Sequence, residues 1–233
     1  MSSTHLLTGA GSGIGAALAT ALRERGDELV LLARSAERAE ELADAHPGAR
    51  TLVADLADPV GLERALLEAE LPDPLDSLLH VAGAVELAPV ADLSAARLRE
   101  QLDVNLVSPA VLTRACLPGL RSSRGLVLFV NSGAGLVANP TWAAYAASKF
   151  GLRALADSLR AEEREHGVRV TTVFPGRTAT PMQQKVHDQE GRDYDASEWI
   201  RPGSVVSTIL HVLDLPRDAT VSDVTVQPGP AGG

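Results

Sequence analysis

Aromatic side chains make up only 3% of this 233-residue chain, and tyrosine and lysine occur twice each and cysteine once. A core so poor in aromatics must be built from Leu, Val and Ala, as suits a parallel sheet covered by helices on both faces. The single cysteine, Cys116, excludes an internal disulfide framework and fits a reducing compartment; it sits in an apolar helical stretch where packing accounts for it. No apolar run is long enough to span a bilayer, and a first strand starting near residue 4 leaves no room for a signal peptide, so a cytoplasmic protein is expected. Positive charge is also scarce. The 21 Lys and Arg against 30 Asp and Glu leave a net charge of −9, which argues against nucleic acid or an anionic membrane as partner. Solenoid repeats, low-complexity tracts and a metal-ligand set are not found. At 45% hydrophobic content the chain fits one domain over residues 1–227, followed by a flexible Gly/Pro-rich tail at 228–233.

What is present is concentrated in two places. One tyrosine and one lysine, Tyr145 and Lys149, stand at i, i+4, which on a helix puts phenol and ammonium on one face. A phenol titrates near pKa ~10, and an adjacent cation favours the phenolate, so the pair reads as an acid–base device rather than a surface pair. The second place is the N-terminus. Residues 4–8 read as a buried strand running into Gly9-Ala10-Gly11-Ser12-Gly13-Ile14-Gly15 and then an Ala/Leu-rich helix. Such a turn lets backbone approach a pyrophosphate, while the helix start offers unpaired N–H groups and the positive end of its dipole.

Strands are expected at 4–8, 28–33, 50–53, 77–81, 126–131, 168–174 and 221–226, and helices at about 13–25, 36–45, 59–70, 94–104, 107–120, 142–166 and 203–213. This alternation predicts an α/β fold: a Rossmann-type doubly wound parallel sheet of about seven strands with helices on both faces. Ligands bind such sheets at the carboxyl ends of the strands. That rim carries Thr8-Gly9, Arg34, Asp55, Ala82-Gly83, Asn131-Ser132 and Pro175-Gly176.

With these residues in place the chain resembles the classical short-chain dehydrogenases/reductases over nearly its whole length. Thr8-Gly9-x-x-x-Gly13-Ile14-Gly15 matches the family's cofactor motif and Tyr145-x-x-x-Lys149 its Y-x-x-x-K. Asn105 and Ser132 precede Tyr145 at the separations of the family's catalytic tetrad. Asp55-Leu56 matches the adenine-binding acid after the third strand, and Pro175-Gly-x-x-x-Thr180 a segment that contacts the nicotinamide carboxamide. The resemblance implies catalysis by Asn105, Ser132, Tyr145 and Lys149. It implies cofactor contacts at Gly9, Ser12, Gly13, Ile14, Gly15, Arg34, Asp55, Leu56, Ala82, Gly83, Tyr145, Lys149, Pro175, Gly176, Thr178 and Thr180. Two departures stand out. Val81-Ala82-Gly83 replaces Asn-Ala-Gly, removing a side-chain tie between central strands, and Arg177 follows Pro-Gly where an aliphatic residue is common. Arg177 is expected to face solvent, the alternative being an approach to an acidic substrate or to cofactor phosphates.

The second strand ends in Leu32-Ala33-Arg34-Ser35. No acid stands there to accept from ribose hydroxyls, and a guanidinium follows that takes a 2′-phosphate bidentately, so NADP(H) is expected over NAD(H), the alternative being that Arg34 only caps a loop. The expected activity is hydride transfer between NADP(H) and a small-molecule carbonyl or secondary alcohol. In this scheme Tyr145 is the acid–base, Lys149 lowers its pKa, Ser132 holds the substrate oxygen and Asn105 positions a relay water. A non-catalytic NADP-binding sensor and an epimerase or dehydratase are the alternatives. The substrate pocket is expected between 84–90, 133–142 and 182–200, with Leu87, Leu136, Trp142, Met182, Tyr194 and Trp199 on its walls and the polar stretch 183–195 as a poorly ordered lid. Relatives of the family imply a homodimer or homotetramer built on the helices at 107–120 and 142–166.

Overall fold

Seven short strands stack in parallel in the order β3-β2-β1-β4-β5-β6-β7 in a computed structural model that describes residues 2–229. They are β1 (Thr4–Thr8), β2 (Glu28–Ala33), β3 (Arg50–Val53), β4 (Ser77–His80), β5 (Leu126–Val130), β6 (Arg169–Pro175) and β7 (Asp223–Val226). Leu7 pairs with Leu31 on one side and Leu79 on the other, so the order reverses at β1, and the crevice between β1 and β4 opens at their carboxyl ends. This is the doubly wound sheet expected from the strand spacing.

Alternation along each strand builds two cores. Leu7, Leu31, Leu79 and Leu128 face one way and meet α1 (Gly13–Glu24), α2 (Ala36–Ala45) and α8 (Pro202–Leu213). Leu6, Val30, Leu78 and Phe129 face the other way and meet α3 (Pro59–Glu68), α5 (Ser108–Ser123) and α6 (Ala143–Glu162). Cys116 is a buried free thiol within this second core, and burial pushes its pKa up to about 12, as expected for a packing residue.

Helix starts follow local chemistry. Ser35 and Asp58 cap α2 and α3 by accepting from the backbone N–H of Arg38 and Gly61, and Pro59 occupies the first turn of α3, where its missing donor costs nothing. The first three strands fall at the expected positions, and the ends of the other four shift by one or two residues. Two larger differences concern helices. The segments expected as separate helices at 94–104 and 107–120 join: α4 (Ala95–Leu102) passes through a π-turn at Asp103–Val107 into α5. The second is α7 (Pro181–Glu190), a regular helix where a poorly ordered lid was expected. Residues 230–233 of the expected tail lie outside the described residues.

Candidate active site

The glycine turn after β1 needs its glycines for different reasons. Gly9 and Gly13 have φ of 80° and 54°, in the left-handed region that side chains avoid. Gly15 lies so close beneath the turn that a Cβ there would stand 2.1 Å from the Gly9 carbonyl oxygen. Ser12 is the extended N-cap of α1 and makes no capping bond, and the first turn of α1 holds no acid, so the helix start presents backbone donors and no competing carboxylate. These features suit a bound diphosphate.

The turn opens into a cleft of about 1320 Å³, larger than a drug-sized pocket and fit for a dinucleotide plus substrate. All sixteen residues expected to contact cofactor line it, from Gly9 through Thr180, and so does Ser132. Asn105 does not; it is fully buried behind the wall. The missing Asn of the Val81-Ala82-Gly83 segment has a substitute: Thr8 Oγ1 accepts from both Val81 N and Ala82 N at 3.1 Å and ties β1 to β4.

At the end of the cleft expected to take adenine, Asp55 accepts from Ala57 N within its own loop, and Leu56 O accepts from Ser108. Arg34 is exposed on the rim of the cleft. A second guanidinium, not foreseen from the sequence, lines the same cleft: Arg38 on α2 donates to Gly11 O at 2.8 Å and pairs with Glu41. Arg34 lies ahead of the extended N-cap Ser35 and outside α2, so no helical spacing in the sequence links it to Arg38.

The reacting end is held by a polar network. Asn131, just past β5, accepts from Ser132 N at 2.8 Å and donates to Lys149 O at 3.0 Å, fixing Ser132 against α6. Asn105, carried on the π-turn, spends its amide on Ala84, accepting from Ala84 N and donating to Ala84 O at 2.8 Å each, and on Ser148 Oγ at 2.9 Å. Lys149 Nζ donates to Val130 O at 3.2 Å and lies 5.7 Å from the centroid of the Tyr145 ring.

Burial dominates both titrating groups. The Tyr145 phenol is pushed up to about 12, with a hydrogen bond to Ser132 pulling the other way. Lys149 is pushed down to about 8 by desolvation. Ser132 thus favours the phenolate, while the Lys149 ammonium donates to Val130 O and is itself disfavoured by burial. A stability effect follows. The folded chain binds the Lys149 proton less tightly than the unfolded chain, whose value is near 10.5, so stability rises with pH between about 8 and 10.5, and below about 8 the whole cost of the buried ammonium is carried. Thermal melts should show Lys149→Met more stable than the parent at neutral pH, with a gain that shrinks across that window; a gain independent of pH would contradict the assignment.

Around the phenol, Tyr145 packs with Val85, Ala134 and Val186, with Leu87 and Trp142 at the edge. Trp142 and Met182 line the cleft as expected, whereas Leu87, Leu136, Tyr194 and Trp199 do not. Tyr194 and Trp199 turn away to pack on His187, 5.2 and 5.1 Å between ring centroids. Arg177 is neither free in solvent nor buried: its side chain is 28% exposed, lines the cleft and forms a two-point ion pair with Glu190 at 2.9 and 2.7 Å. The sequence signal for α7 was the Thr180-Pro181 pair, because Thr180 caps the helix by accepting from Gln183 N and Pro181 fills its first turn.

A family model described as short chain dehydrogenase matches residues 3–191. An uncharacterized oxidoreductase of Listeria monocytogenes is 30% identical, over 96% of this chain and 95% of its own. Among solved structures, a putative NAD(P)-dependent gluconate 5-dehydrogenase from Beutenbergia cavernae with bound NADP superposes with a TM-score of 0.84 at 29% identity, covering 97% of this chain and 95% of that one. A 4-hydroxyisoleucine dehydrogenase complexed with NADH also gives 0.84, at 25% identity and 99% of each chain.

Proposed function

The chain belongs to the short-chain dehydrogenase family, and from that premise we propose that it is an NADP-dependent oxidoreductase acting on a small-molecule carbonyl or its secondary alcohol. One observation carries the reading: Ser132, Tyr145 and Lys149 line the same cleft as the glycine turn. When bound, the nicotinamide supplies or accepts the hydride. Tyr145 passes its proton to the carbonyl oxygen in reduction and takes it back in oxidation, and a phenol held neutral by burial is ready to donate. Ser132 holds the substrate oxygen and stabilises charge there. Lys149, charged below about pH 8, anchors the cofactor ribose and leads to solvent for proton exchange. With its side chain engaged by Ala84 and Ser148, Asn105 serves the relay through its backbone while bracing the wall.

NADP(H) is favoured by Arg34 and Arg38 together. Relatives with bound NADP and with bound NADH have the same fold, so the argument rests on these two side chains. A homodimer or homotetramer using α5 and α6 is supported by half-exposed Phe150 and Val107, an apolar pair on or beside those helices. A reducing cytoplasm suits the lone free thiol.

Steady-state kinetics with both cofactors test the assignment. Arg34→Ala should raise the KM for NADPH about 10- to 100-fold, the worth of one charge-assisted bond to phosphate, and leave the KM for NADH nearly unchanged. Arg38→Ala should act in the same direction. An equal loss with both cofactors would overturn the NADP assignment.

A further inference from the structure

Residues 178–200 leave the sheet after β6 as a loop whose two ends are tied together. Thr178 bridges to Ile200, Ala179 N donates to Ile200 O at 2.8 Å, and Ile200 N donates to Arg177 O at 3.1 Å. Between these ends α7 crosses the cleft. At its head Thr180 abuts the glycine turn, its Cγ2 3.0 Å from where a Gly13 Cβ would stand. Farther along, Val186 is buried against Tyr145. Near its end Gln189 Oε1 accepts from Leu87 N, in the segment after β4, at 2.8 Å.

The helix has little of its own to hold it there. It is ten residues long and mostly polar, and of these only Gln183, Val186 and His187 are buried. A helix this short is marginal in isolation. The tertiary anchor is Arg177. Its guanidinium meets the Glu190 carboxylate at two points, lies 5.5 Å from the Trp199 ring centroid, and places Nη1 3.5 Å from His187 Nε2. Glu190 is the last residue of α7, so the cation sits where the helix dipole favours it. An aliphatic side chain at 177 would make none of these contacts. The Arg177 guanidinium holds the Glu190 carboxyl below the usual carboxylate range.

We propose that Arg177 is a positioning residue: its ion pair with Glu190 locks α7 across the cleft, so that Val186 forms an apolar roof over Tyr145 and the carbonyl substrate is selected against that roof. The selection rests on the oxidoreductase reading; the lock does not. The ion pair holds the tail of α7, at Glu190, whereas the cofactor side meets its head, at Thr180, so the substrate side should respond to the lock more than cofactor binding does.

The chain's own composition supplies the test. Its two lysines are Lys149, 3% exposed inside α6, and Lys185, exposed on α7, so a lysine-specific endoprotease has one accessible cut in the native protein, and that cut requires α7 to open. Arg177→Met and the milder Glu190→Gln should be nicked at Lys185 about tenfold faster than the parent, because each leaves a half-buried charge unpaired or the lock broken. The same variants should raise the KM for a carbonyl substrate about tenfold while moving the KM for NADPH less than about twofold. The charge swap Arg177→Glu with Glu190→Arg should restore both. Parental nicking rates in the single variants, or a KM for NADPH that rises with that for the carbonyl, would overturn the proposal. If the parent oxidises NADPH with no carbonyl, the functional reading fails while the nicking rates still decide the lock.

Discussion

Tyr145→Phe is expected to reduce carbonyls with NADPH at no more than about one thousandth of the parental rate, a loss in the upper range for a general acid, while binding NADPH unchanged. The substitution removes one oxygen and keeps the ring. That ring is 6% exposed, meets Trp142 edge-on at 5.7 Å between centroids and packs under Val186, and phenylalanine fills the same space. What disappears is the hydroxyl that pairs with Ser132. Burial holds the phenol at about 12, so the parent keeps its proton throughout the working pH range and the lost group is a donor rather than a base at rest. Turnover of Tyr145→Phe measured beside its NADPH dissociation constant separates the two effects. Residual activity above about a tenth of the parent would place the proton donor elsewhere.

The second large effect belongs to Gly15. A Cβ at this position would meet Gly9 O at 2.1 Å and Gly9 C at 2.6 Å, and both are backbone atoms that cannot swing aside. The turn must deform or α1 must shift, and either change moves the donors meant for the diphosphate. Gly15→Ala should therefore weaken NADPH binding more than about 100-fold and lower the melting temperature as well. Gly203, in the first turn of α8, is the control, since nothing lies within 4 Å of its added Cβ. Gly203→Ala should bind NADPH normally and melt at the parental temperature or slightly above it, because alanine gains up to about 1 kcal/mol of helix propensity over glycine. Calorimetric titration with NADPH checks both, and parental affinity in Gly15→Ala would remove the glycine turn from the cofactor site.

The elements most legible in the sequence are those whose side chains answer to local geometry. Leu6 and Leu7 announce a strand buried on both faces, Gly9 to Gly15 a turn, and Tyr145 with Lys149 one face of a helix, and all fall where expected. Helix α7 is hidden in the sequence because its composition is polar and its stability comes from outside it. Its anchor, Arg177 with Glu190, joins residues separated by thirteen positions through a tertiary contact that no periodicity encodes. The Thr180-Pro181 cap is visible in the sequence, but Thr180 also falls in the cofactor motif, which masks it. Arg38 was not legible, because its place over Gly11 depends on how α2 docks on the sheet. The direction of the Tyr145 shift was hidden for a third reason: spacing shows that a cation is near, while burial, which outweighs it, is set by Val85, Ala134 and Val186 from three separate segments.

The proposed function requires a hydride to pass from the nicotinamide to a carbonyl in the cleft that holds Tyr145. NADPH carrying deuterium at the transferable position of its ring, incubated with the purified protein and a panel of aldehydes, ketones and diketones, tests it by mass spectrometry of the alcohols formed. An alcohol bearing one deuterium on its carbinol carbon, absent with Tyr145→Phe, is the predicted result. NADPH that binds with its deuterium never appearing in any product across the panel would contradict it.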